Sequence, residues 1–163
     1  MLSAQIIKLI EAHAESLTRE VVADLLTNEH TPSYLRIPKE EVAQRALAFY
    51  QNLGNWIGNP KDDAIRAEYE RWGEIRCREG IPVSEIVYSL ILRKKYIRRY
   101  IREYGFVESS HERFASGEPL PLALYNIQEL NYVVGDFFDR ALYYIMRGYE
   151  MQAKAKQSGT NLT

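Results

Sequence analysis

Three polar residues fall where the surrounding pattern calls for apolar ones. His13 stands between Ile10 and Leu17, Arg76 follows Trp72, and Arg93 stands between Leu90 and Ile97, each three or four residues from its neighbours on one helical line. A guanidinium on a buried line must be paired or must reach water along its stem. If the three converge, they make a small cationic pocket walled by Trp56, Tyr69 and Trp72, to which Asn131 adds a neutral hydrogen-bonding group. Such a pocket suits a carboxylate or another small anionic ligand. The plainer alternative has both arginines at helix rims or paired with acids, and His13 satisfied at an interface.

A second group is cationic and regular. Lys95, Arg98, Arg99 and Arg102 follow i, i+3, i+4, i+7 spacing and share one helix face, with Tyr96 and Tyr100 between them. They make either a surface for phosphate or an acidic protein partner, or a solvated face paired with Glu68, Glu70 or Glu74. Net charge is -1 and the pI is near 6.3, so nucleic acid is the disfavoured partner.

Other chemistry is thin. His13, His30 and His111 are isolated, and Cys77 has no Cys or His at ligand spacing, so no metal site is expected. No hydrolase, phosphate-loop or dinucleotide motif occurs. Asp136 and Asp139 have Arg140 and Arg147 near enough for ordinary helix-surface pairs. The sequence therefore reads as noncatalytic and requires no cofactor. Two alternatives are kept: a globin-like sensor holding haem or another cofactor, with His13 as the haem ligand, and a nucleic-acid adaptor using the basic face.

The elements that must position these residues are helices. With 163 residues, 46% hydrophobic, 26% charged, nine Gly and six Pro, the chain fits one domain with few breaks. Five segments carry helical periodicity: about Ser3 to Leu26, Pro38 to Gly58, Asn59 to Gly80, Pro82 to Gly105 and Leu122 to Ala155. Gly80 ends the third and Pro82 starts the fourth. The fold expected is all-α, a five-helix bundle with long first and last helices, open to a globin-like arrangement. Residues 1–155 form the domain and 156–163 a flexible tail. The longest apolar run, Ile86 to Leu92, is far too short for a membrane span, and one cysteine agrees with the cytoplasm.

The segment YERWGEIRCREGIPVSEIVYSLILRKKYIRRY resembles the N-terminal domain family of RsbT co-antagonist proteins of the RsbRD type. The likeness rests on Trp72-Gly73, the Arg76 to Gly80 approach, the Gly80-Ile81-Pro82 corner with Ser84-Glu85, and the apolar helix reaching Arg93. FYQNLGNWI upstream and FFDRALYYIMRGYE downstream extend it over about residues 5 to 150. The resemblance implies a helical regulatory domain, often fused to an output module such as a sensor kinase or a stressosome-type partner. The sequence stops at Thr163 without such a module, which makes noncovalent partner binding the simpler expectation. Together these observations predict a cytoplasmic sensory domain that is homodimeric through its first or last helix. It takes a small anionic ligand at His13, Trp56, Tyr69, Trp72, Arg76 and Arg93, and a signalling protein partner at the basic face.

Overall fold

A computed structural model describes residues 2–57, 62–104 and 120–160. Among them the regular structure is helical: α1 (Leu2–Ala12), α2 (Ala14–Thr27), a 3-10 turn (Pro32–Arg36), α3 (Lys39–Gln51), α4 (Leu53–Ile57), α5 (Asp62–Arg78), α6 (Val83–Tyr104) and α7 (Leu120–Thr160). The expected stop signals at Gly58, Asn59, Pro60 and Gly105, and His111, lie outside the described residues. α7 has 41 residues and spans about 60 Å at 1.5 Å per residue. It is helical through Thr160, so part of the segment expected as a tail is helix. No helix among the described residues is long and apolar enough to cross a membrane.

Two of the expected segments bend. At His13 the backbone takes φ -100 and ψ 15, yet its N–H still reaches the Leu9 carbonyl at 3.0 Å and its carbonyl accepts from Leu17 at 3.1 Å. At Asn52 (φ -110, ψ 17) the side-chain amide turns back to donate to the Ala48 carbonyl at 2.8 Å. The apolar stripe passes through both points, with Ile10, Ala14 and Leu17 buried on one side and Phe49 and Leu53 on the other. The described residues thus form seven α-helices where five were expected.

The corner between α5 and α6 is built as the sequence predicts. Gly80 adopts φ 71, and the Ile81 and Gly80 N–H groups close onto the Arg76 and Cys77 carbonyls at 3.1 and 3.2 Å. This is a Schellman cap, which needs a residue free of a Cβ at the left-handed position. Glu85 in the first turn of α6 is buried and accepts from both the N–H and the hydroxyl of Ser33, each at 2.8 Å. That contact fixes the proline-rich connector against α6.

α5 and α7 pack backbone to backbone. A Cβ on Gly73 would lie 2.0 Å from the Ile145 carbonyl oxygen, and one on Gly148 would lie 2.0 Å from that of Glu70. Only glycine allows this approach. Leu130, Val134, Phe137, Phe138 and Ala141 of α7 complete a core shared with α1 through α6.

Candidate functional site

Arg93 sits inside this core with 1% of its surface exposed. Its place follows from the α6 periodicity, which also buries Ser89, Leu90, Ile97, Tyr100 and Ile101. The guanidinium carbon lies 5.4 Å from the ring centres of both Phe49 and Trp72. Its Nε and Nη1 are buried without a hydrogen-bond partner, as is the hydroxyl of Tyr50. Among the described residues no carboxylate pairs with it. Burial pulls the Arg93 pKa below its ordinary value, opposed by Tyr34, Tyr50 and Tyr69 and reinforced by the positive charge of Arg76. Burial likewise pushes the phenols of Tyr50 and Tyr69 well above their usual range, while Arg93 draws them back.

Arg76 is also buried, at 3% exposure, and its charge is answered. Nη1 donates to Glu79 at 2.7 Å, the guanidinium lies 5.2 Å from the centre of the Tyr34 ring, and Arg45 grips the same Glu79 at 3.0 Å. Burial alone would raise the Glu79 pKa, but the hydrogen bonds and charges of Arg45 and Arg76 outweigh it and hold the carboxyl below its ordinary value. Beside this bridge opens a cavity of about 300 Å³, lined by Arg45, Glu68, Arg71, Trp72, Ile75 and Arg76. Trp72 links the two arginines. Its ring both lines the cavity and lies under Arg93, and its indole N–H donates to Glu68 at 2.8 Å.

The expected pocket is thus assembled in part. Tyr69 is buried between Trp56 and Trp72, with ring centres 5.8 and 5.9 Å away, so five of the six predicted residues form a connected aromatic and cationic group. His13 stands elsewhere. It is exposed at the α1–α2 bend, its Nδ1 2.8 Å from the Tyr100 hydroxyl and 2.9 Å from the Leu9 carbonyl. Tyr100 lies two helical turns beyond Arg93, about 10 Å along α6. Asn131 also falls elsewhere, donating to the Ile127 carbonyl at 3.0 Å. Sequence reasoning missed Tyr34 and Tyr50 as neighbours and Glu79 as the counter-charge. Only Glu79 carried a signal, its i+3 spacing from Arg76.

The basic face stays together and is partly paired within the chain. Arg99 pairs with Glu20 of α2, lies 4.7 Å from the centre of the Tyr96 ring, and is held above its ordinary pKa chiefly by the Glu20 hydrogen bond. The acids expected to neutralise this face do otherwise: Glu70 pairs with Arg66 and Arg147, and Glu74 with Arg78. Lys95, Arg98, Arg99 and Arg102 all line a groove of about 910 Å³ with Ile91, Leu124 and Ile127, and Arg102 also faces Glu103 at 3.7 Å. On α7, Asp136 pairs with Arg140 at 3.0 Å as expected, while Asp139 faces Lys94 at 3.3 Å. Among the described residues no group of three or more His, Cys, Asp or Glu could hold a metal ion. No family model matches this chain, and no curated protein matches it.

Proposed function

We propose that this chain is a noncatalytic sensory domain in which a small organic anion supplies the counter-charge that Arg93 lacks. The observation that carries the reading is Arg93 itself, a buried cation with two unpartnered nitrogens among aromatic rings. Two cation–π contacts at about 2 kcal/mol each offset only part of the several kcal/mol that burying a charge costs. An anion entering the cavity beside Arg76 reaches Arg93 when the Trp72 ring turns aside. Trp72 belongs to α5, which packs directly on α7, so that motion couples the site to the longest helix. A ligand that binds one packing better than the other shifts the population between them.

The all-helical fold supports this reading, as does the resemblance to RsbRD-type domains; on the same reading each bent pair counts as one unit of a five-helix, globin-like bundle. The reading places the domain in the cytoplasm as a homodimer and makes the groove at Lys95, Arg98, Arg99 and Arg102 the surface for an acidic signalling partner, with apolar contacts from Ile91, Leu124 and Ile127. The test is a fluorescence titration of a Trp56→Phe protein, leaving Trp72 as the reporter, with acetate, benzoate, succinate and inorganic phosphate. A saturable change in emission that vanishes on Arg93→Met supports the anion site. Equal responses in both proteins, or none in either, removes it.

A further inference from the structure

The exposed face of α7 carries large side chains that a solvated helix does not need. Tyr125, Tyr132 and Tyr143 are 60%, 71% and 60% exposed, and their separations of seven and eleven residues are close to two and three helical turns. They form one stripe on the side of α7 opposite the buried Val134, Phe138 and Ala141. Charge along the helix is divided. Its first half bears Glu129, Asp136 and Asp139, while the second bears Arg140, Arg147, Lys154 and Lys156, with Glu150 as the exception.

We infer that this face binds a second copy of the same face, with the two α7 helices antiparallel about a twofold axis. Parallel pairing would set acids against acids. Antiparallel pairing sets the acidic half of each helix on the basic half of the other, as an isologous contact requires. One register satisfies size and charge together. With Tyr132 against Met151 of the second copy, Glu129 meets Lys154 and Asp136 meets Arg147, and Glu150 falls opposite Val133. Asp136 and Arg147 have partners within their own chain, Arg140 and Glu70. Glu129 and Lys154 are exposed and have no ion-pair partner among the described residues, so the second copy supplies the missing charge to each.

This deepens the dimeric reading above and rests on it, and the experiment separates the two. Light scattering and sedimentation are measured for the wild type, Glu129→Lys, Lys154→Glu and an equimolar mixture of the two variants. Each variant turns two attractive pairs repulsive, so self-association weakens about tenfold. In the mixture both contacts are attractive again, and association returns to the wild-type level. A wild-type dimer that neither variant weakens, or a mixture that fails to recover, overturns the antiparallel register while leaving a dimer. A monomeric wild type at all concentrations overturns both.

Discussion

Arg93 exchanges its water for two aromatic faces and no carboxylate, and that imbalance has measurable consequences. Replacing buried ion pairs by well-packed apolar side chains is neutral or stabilises by about 1–4 kcal/mol, and a buried charge without a counter-charge has still less attraction to lose. Arg93→Met should therefore raise Tm in the ligand-free protein, by about 2–4 °C for each kcal/mol; a fall in Tm would mean that the charge is already compensated. Glu79 behaves in the opposite sense. Its folded pKa lies below its ordinary value, so its contribution is fully present above about pH 4.5 and is lost as pH falls through the lowered pKa. Urea unfolding of Glu79→Gln should show a shallower loss of stability below pH 4.5 than the wild type; identical slopes would show that the Arg45–Glu79–Arg76 bridge does not contribute. The two arginines were legible in the sequence because they interrupt an apolar line at helical spacing. Tyr34 was not, since it lies in a proline-bounded connector without periodicity, and His13 was misplaced because the buried line runs from Ile10 through Ala14 to Leu17 and leaves His13 exposed.

Helices were the most legible level, and the close approach between two of them the least. Apolar spacing with Gly80 and Pro82 located the α5–α6 corner, but the bends at His13 and Asn52 leave the apolar period unbroken and so leave no mark in it. Gly73 illustrates the same limit. In the sequence it is a mid-helix glycine at a cost of about 1 kcal/mol relative to alanine, and only the Ile145 carbonyl 2.0 Å from its absent Cβ explains it. Gly73→Ala should destabilise by about 3 kcal/mol, the upper part of the range for overpacking, because the opposing atoms are backbone and cannot turn away. Gly135, also in α7, has nothing within 4 Å of a Cβ, so Gly135→Ala should stabilise by about 1 kcal/mol. Calorimetry of the two variants checks the pair, and equal signs would contradict the α5–α7 geometry.

For the whole molecule, the proposed reading joins the buried arginine to the tyrosine face of α7 through the α5–α7 contact. Trp72 stands beside Gly73, at the point where α5 meets α7, so a ligand that turns Trp72 acts on the helix that would carry the dimer contact. Composition and charge indicated a helical domain with no global attraction for nucleic acid, but convergence of residues from α3, α5 and α6 is a property of packing that no spacing along one helix reveals. The most direct test of the central claim is native mass spectrometry of gently purified wild-type and Arg93→Met proteins. The account predicts one reproducible anionic adduct per wild-type chain, removable by denaturation and absent from Arg93→Met. A wild-type protein carrying no adduct, or an adduct retained equally by Arg93→Met, would contradict it.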